Sequence, residues 1–363
     1  MEEKKRLLIY EKLNLLAEAF SKLLYEEDTV FLEGMKEKNL AGDSLEKYRH
    51  WEWTQGVGLY GFYRLYQKEK KEVYLDLLKE YYDNQLEIGF PALNVNTVTP
   101  YLAMSFLGEL LQEEKYLKPC RESADWIYKN FPRTKSGGFQ HRTSDSENPE
   151  ELWDDTLFMT VLFLANMGRI LNCKSYLMEA QYQFLLHIKY LTDCKSGLFY
   201  HGWTFKEKHH FADALWGRGN SWLTMAIPEF LEISGCEGAS RRILIEALER
   251  QVKALSRCQC ENGMWRTLLL DESSYQEASA TCGFGYGILR AVHLNYIDPK
   301  YKICALKALE PILNLVDEAG VLNQVSYGTP MGRESTDFYK QIPIHPMPYG
   351  QAMAILYLSE LLS

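Results

Sequence analysis

Two kinds of helical segment alternate along this chain, and any fold it adopts has to house both. Segments such as Lys71–Tyr82 and Tyr116–Asn130 are ordinary amphipaths, with Lys and Glu on one side and apolar residues at the helical period on the other. Between them lie segments with few charges and many small residues. One carries Gly56, Gly58 and Gly61; another Ala278, Ser279, Ala280, Gly283, Gly285 and Gly287; a third Gly350, Ala352 and Ala354. A glycine inside a helix costs about 1 kcal/mol relative to alanine, so its repeated use calls for a packing reason. Close approach by other helices on several sides supplies one.

The periodicity predicts twelve helices, starting near residues 5, 51, 71, 97, 116, 152, 173, 215, 239, 277, 299 and 347. The even-numbered ones are the small-residue type. The expected fold is therefore all-α, an (α/α)6 barrel of six helical hairpins with an inner and an outer ring, forming a single catalytic domain over residues 1–363. An open helical solenoid is the alternative. Links from an even helix to the next odd one are short, whereas Phe131–Glu151, Thr192–Ala214, Cys258–Gln276 and Asp317–Met347 are long and rich in Gly, Pro and aromatics. Long structured loops in a compact domain are usually functional, and here they gather at one end of the ring. They also repeat weakly: Gly137-Gly-Phe-Gln-His141 and Gly197-Leu-Phe-Tyr-His201 share a layout, with shorter echoes at Gly263-Met-Trp265 and Gly320-Val-Leu322, each a candidate for a small rim strand.

Composition narrows the partners. A net charge of −9 offers no basic field for nucleic acid. No stretch approaches the roughly 20 apolar residues of a membrane span, and the opening Met1–Tyr10 alternates charge with apolar residues, unlike a secretory leader. The eight cysteines are scattered, and Cys258-Gln-Cys260 lacks a second pair for zinc, so reduced buried thiols in a cytosolic protein are expected. A monomer or weak homo-oligomer without a metal or organic cofactor is expected.

Polar and aromatic residues cluster where the even helices open: Trp51-Glu-Trp53-Thr-Gln55-Gly, Asn94-Val-Asn96-Thr97, Trp153-Asp154-Asp155-Thr156, Trp216-Gly-Arg218-Gly-Asn220-Ser-Trp222, Glu277-Ala-Ser279, and His345, Tyr349 and Gln351. Aromatic faces flanked by Asp, Arg, Asn and His suit sugar rings, whose C–H faces stack while their hydroxyls need polar partners. Each residue also has a plainer reading. Asp154 or Asp155 could merely cap a helix, and about 100° separates them around the axis, so at most one faces a cavity fully. His141, His201 and the tryptophans could be core. Arg218, in an otherwise uncharged helix start, needs an anion from the protein or from a ligand. Phosphate-loop, nucleophile-elbow and His-Glu-x-x-His motifs are absent, Gly283-Phe-Gly285-Tyr-Gly287 reads as packing glycines, and His209-His210 as a solvated loop.

In this order and spacing, these motifs resemble glycoside hydrolase family 105, the unsaturated rhamnogalacturonyl hydrolases, and more distantly the unsaturated glucuronyl hydrolases of family 88. The resemblance runs from Trp51 to the C-terminus and rests on Trp51-Glu-Trp53-Thr-Gln-Gly-Val, Pro132-Arg-Thr, Gly137-Gly-Phe-Gln-His141, Leu152-Trp-Asp-Asp155-Thr-Leu-Phe-Met159, Gly197-Leu-Phe-Tyr-His201-Gly-Trp203, Leu215-Trp-Gly-Arg218-Gly-Asn220-Ser-Trp222, Gly263-Met-Trp265 and Tyr349-Gly-Gln351. It implies an (α/α)6 barrel acting on lyase-generated oligosaccharides that end in a 4,5-unsaturated uronic acid. It also implies that Asp155 is the catalytic acid, protonating the enol-ether double bond. Trp153, Met159, His141, His201, Trp216, Arg218 and Trp222 would contact sugar, and Trp53, Asn96 and Asn220 join them as substrate-binding candidates. Where relatives often carry a second aspartate near the fourth helix, this chain has Asn94 and Asn96. The competing readings are another (α/α)6 enzyme, an inverting glycosidase or sugar epimerase with Glu52 or Glu277 as second carboxylate, and a sugar-binding scaffold without chemistry.

Overall fold

The computed structural model describes residues 3–362. Its helices are α1 (Glu3–Leu23), α2 (Thr29–Lys38), α3 (Trp53–Glu69), α4 (Glu72–Ile88), α5 (Val95–Leu111), α6 (Glu114–Asn130), α7 (Leu162–Ile170), α8 (Lys174–Leu191), α9 (Gly217–Ser234), α10 (Gly238–Cys258), α11 (Ala278–His293), α12 (Lys302–Leu315), the short α13 (Asp337–Lys340) and α14 (Pro348–Leu361). Helices α3, α5, α7, α9, α11 and α14 pack each on the next, and α14 returns to α3, which closes an inner ring. An outer helix backs each one: α4 on α3, α6 on α5, α8 on α7, α10 on α9, α12 on α11 and α1 on α14. The small-residue segments are the inner helices, as expected, and an (α/α)6 barrel results.

The glycines sit where inner helices cross. A Cβ on Gly56 would lie 2.7 Å from the backbone of Thr99 and Pro100 in α5, and one on Gly287 would lie 2.3 Å from the carbonyl oxygen of Thr224 in α9. Backbone cannot yield as a flexible side chain can, so Gly287→Ala should push α9 and α11 apart. A loss of about 1–3 kcal/mol in stability is expected from such overpacking, and chemical denaturation would measure it.

The rim is built from the repeated loops. Gly137, Gly197, Gly263 and Gly320 all adopt positive φ, between 77° and 97°, turning the chain back on itself. Single β-bridges follow at Arg133↔Phe139, Thr192↔Phe199 and Val316↔Leu322. Two short antiparallel pairs complete the rim: β1 (Glu151–Trp153) with β2 (Gly202–Thr204), and β3 (Trp265–Arg266) with β4 (Gln276–Glu277).

Three expectations change. The sixth helix does not start near residue 152, because β1 occupies that stretch. A turn at Asp154-Asp155 follows, and a five-residue π-helical turn, Leu157–Val161, leads into α7. Helices α2 and α13 were not expected. All eight cysteines are free, but only Cys120, Cys236, Cys282 and Cys304 are buried; Cys194 is exposed, and Cys173, Cys258 and Cys260 are half-buried. Among the described residues, no helix is long and apolar enough to cross a membrane.

The far end of the barrel is plugged by charge. Glu229 accepts hydrogen bonds from the hydroxyls of Tyr60 (2.7 Å) and Tyr286 and from Nε of Arg290 (3.1 Å). Arg64 and Lys68 of α3 and Glu360 of α14 complete the cluster. Burial opposes ionisation of Glu229, yet Arg290 and Arg64 overcome it and draw its carboxyl down to about 2.

Candidate active site

At the opposite end, the openings of the inner helices surround a cavity of about 670 Å³. Trp53 and Gln55 reach it from α3, Asn96 from α5, and Trp153, Asp155 and Met159 from the approach to α7. His141 comes from the rim, and residues 327–331 and Arg333 from the last long loop. An aromatic column stands beneath. The Trp53 ring meets the edge of Trp222, Trp222 packs on Phe158, and Phe158 on Tyr60, which ends at the Glu229 cluster.

The turn and the wide π-helical coil aim Asp155 into this cavity. The Asp155 carbonyl oxygen accepts from the backbone N–H groups of Phe158 and Met159, both at 3.0 Å, which fixes the residue at the head of the coil. Its side chain is 21% exposed, and Oδ1 lies 3.3 Å from Nδ1 of His141. Burial raises its carboxyl to about 7, against nearby backbone N–H groups and the field of Arg218. His141 is pushed the other way by burial, to about 3, so its imidazole is neutral and the contact is no ion pair. That imidazole lies flat on Trp153, with ring centres 4.1 Å apart, and its Nδ1 is 2.9 Å from Oγ1 of Thr156. Trp153 is held in turn by Nε1–H donating to Glu151 (2.9 Å), which also accepts from Arg333 (2.8 Å).

The neighbouring aspartate faces the interior instead. Asp154 is fully buried, and neither carboxyl oxygen has a hydrogen-bond partner. It lies so close to α9 that a Cβ on Gly219 would fall 2.0 Å from its Oδ2. Burial, then the nearby Asp155, hold its carboxyl well above the usual range, so it stays protonated. Of the two adjacent acids, only Asp155 borders the cavity.

Five other sequence-derived candidates stand behind the cavity wall. His201 is buried, with Nδ1 2.6 Å from the Tyr339 hydroxyl and its ring against Trp216. Asn220 is consumed by backbone, bonding to Phe199 N–H and C=O and to the Trp216 carbonyl. Trp222 belongs to the aromatic column. Arg218 is sandwiched between Trp216 and Tyr349, 4.7 Å from each ring. Its guanidinium donates to the Ser326 carbonyl (3.1 Å) and hydroxyl (2.5 Å), the Tyr327 carbonyl (3.2 Å) and the Thr329 hydroxyl (2.8 Å). The anion it needs is Glu277, at 3.9 Å. Arg218 thus anchors the loop that forms one cavity wall. Glu277 is occupied by Ser279, the Ala280 N–H (2.6 Å) and the Ser326 N–H (2.9 Å). Asn94 caps α5 rather than meeting the cavity, and His345 is exposed on the loop before α14.

Glu52 does line the cavity. Its Oε1 accepts from the Ser144 hydroxyl (2.7 Å), which itself accepts from the Asn94 amide (3.0 Å). Burial raises its carboxyl to about 7 against the hydrogen bonds from Ser144 and the Trp53 backbone N–H. The contributions of α2 and Arg333 went unsuspected; neither sits in a periodic or repeated motif. Among the described residues, no group of three or more His, Cys, Asp or Glu side chains could hold a metal ion.

Residues 29–363 match the model of Glycosyl Hydrolase Family 88. The chain belongs to that family. The unsaturated rhamnogalacturonyl hydrolase YesR of Bacillus subtilis is 33% identical over 315 residues, covering 86% of this chain and 90% of YesR. A solved structure from Klebsiella pneumoniae, described as a possible member of the GH105 family, is 42% identical with a TM-score of 0.89, covering 97% of this chain and 93% of that one. The resemblance to family 105 therefore holds within the wider family. The unsaturated glucuronyl hydrolase of Bacillus sp. GL1, 18% identical with a TM-score of 0.68 over 86% of each chain, shares the fold. This family 88 chain is a glycoside hydrolase.

Proposed function

We propose that this glycoside hydrolase removes a 4,5-unsaturated uronic acid from the non-reducing end of lyase-generated oligosaccharides, with unsaturated rhamnogalacturonan disaccharide as the foremost substrate. The observation that carries this reading is a cavity-facing carboxyl, Asp155, whose proton is held toward neutral pH by burial, beside Trp153, Met159 and a neutral His141. The unsaturated ring is an enol ether, so it needs a proton donor at carbon rather than a carboxylate pair. Asp155 gives its proton to C4, and positive charge develops at C5 and the ring oxygen. Water adds at C5 and returns a proton to the Asp155 carboxylate. The resulting C5 hemiketal opens, which leaves C1 as a hemiacetal that expels the leaving sugar. Water is consumed overall, and Asp155 ends as it began.

Trp53 and Trp153 provide faces for the rings, and Asn96, Gln55 and Glu52 provide partners for hydroxyls. We assign the whole chain to one catalytic domain working in the cytosol, where its eight free thiols suit a reducing compartment.

A pH profile follows from the required proton. Only protonated Asp155 can act, so kcat/KM should fall as pH rises through about 7 and hold on the acid side of that value. Loss of the near-ultraviolet absorbance of the enol ether, followed across pH on a panel of lyase-generated disaccharides, measures this. A profile that climbs through neutrality would mean that an ionised base, not this acid, starts the reaction. Consumption of saturated oligosaccharides would instead point to an inverting glycosidase using Glu52.

A further inference from the structure

Two arginines pin the last long loop to the barrel, and they reach in opposite directions. Arg218 runs from α9 to the start of the cavity wall, at Ser326, Tyr327 and Thr329. Arg333 runs from the end of that wall back to β1, where its two terminal nitrogens meet the two oxygens of the Glu151 carboxylate at 2.8 and 3.3 Å. Glu151 is buried, whereas the Arg333 side chain is 51% exposed. An ion pair open to water on one side contributes little to stability, and an apolar side chain would fill the place of Glu151 at least as well. The pair therefore calls for a reason other than packing.

Glu151 holds two rings at once. It shares a face of β1 with Trp153, and its Oε2 accepts from Nε1–H of that indole at 2.9 Å. Its main-chain carbonyl accepts from the His141 N–H at 3.0 Å. The two rings so held lie within 5° of parallel, and the imidazole sets Nδ1 3.3 Å from Oδ1 of Asp155. The planar fork of Arg333 fixes the plane of the carboxylate. The carboxylate fixes the rotation of the indole, and the indole face fixes the imidazole.

We propose that Glu151 is a positioning residue for the catalytic acid and that Arg333 acts through it, so that the loop walling the cavity also aligns the rings beside Asp155. The inference rests on the reading of Asp155 as the acid. A displacement of about 1 Å next to a reacting group can cost on the order of 10²-fold in rate. The loss belongs to turnover, because the sugar-binding residues on the other walls stay in place.

The test is steady-state kinetics on an unsaturated disaccharide, followed by loss of its near-ultraviolet absorbance, with thermal unfolding of each variant measured beside it. Glu151→Leu should lower kcat by about 10- to 100-fold while KM rises less than about threefold. Glu151→Gln keeps an oxygen for the indole N–H and should stay within about threefold of wild-type kcat. Arg333→Met should lower kcat by about threefold, and adding it to Glu151→Leu should slow the enzyme no further, since residues acting in series are not additive. Unfolding of Arg333→Met and Glu151→Gln should stay close to wild type. Wild-type kcat in Glu151→Leu, or equal losses in the Leu and Gln variants, overturns the positioning role. Losses that multiply in the double variant overturn the series from Arg333 through Glu151. If Glu151→Leu does not fold, Arg333→Met decides alone, and an unchanged kcat there overturns the proposal. These outcomes leave the acid untouched, whereas full activity in Asp155→Asn overturns the reading of Asp155 and this inference with it.

Discussion

Asp155→Asn should lower kcat by about 10²–10⁴ while KM moves little. Asparagine keeps the size and the polar contacts of the side chain, including the approach to His141, but has no proton acidic enough to give to carbon. The adjacent residue is the proper control. Burial also raises the Asp154 carboxyl, yet this residue packs against Gly219 and away from the cavity. Asp154→Asn should therefore act mainly on stability, with turnover far less reduced than in Asp155→Asn. The near-ultraviolet assay on both variants, with binding measured by calorimetry, separates the two acids. Near wild-type turnover in Asp155→Asn would remove the acid from the mechanism.

Arg218→Ala should be the most damaging substitution for the fold around the site. The side chain spans from α9 to the loop at Ser326, 108 positions away, and it fills the space between two aromatic rings. Its removal takes a donor from two carbonyls and two hydroxyls and leaves the buried Glu277 without its cation. Breaking one side of a buried charged arrangement costs on the order of 3–5 kcal/mol. Denaturant unfolding should report that loss, and proteolysis within residues 326–333 should accelerate as the wall loosens. Arg218→Lys supplies a point charge without the planar fork and should recover only part of it. If Arg218→Ala unfolded like wild type and lost only activity, a direct contact with substrate would replace the anchoring role.

Much of the architecture was legible because burial leaves a periodic trace. The inner helices are buried nearly all round, so charge disappears from them and small residues appear where backbones cross, as at Gly56 and Gly287. Helix α2 left no such trace. It buries one residue and contains a glycine, so its pattern resembles that of a loop. The segment Leu152-Trp-Asp-Asp-Thr read as the opening of a helix, but pairing with Gly202–Thr204 makes it a strand, a partnership about 50 residues distant that no local pattern encodes. In the site, Trp153, Asp155 and Met159 of the aromatic and acidic motif before α7 border the cavity. Arg218 signalled only that a buried cation needs partners, and its partners turned out to be two backbone carbonyls and two hydroxyls, with Glu277 beyond them. A sequence gives no sign of which carbonyls will converge on a guanidinium.

The knot of carboxylates and guanidinium groups around Glu229 makes the barrel blind-ended. Whatever slides in past Trp53 has to back out through the same doorway, so a polymer cannot be threaded through and clipped midway. Under the proposed function a terminus is what enters, and both fragments leave by that doorway before the next end arrives.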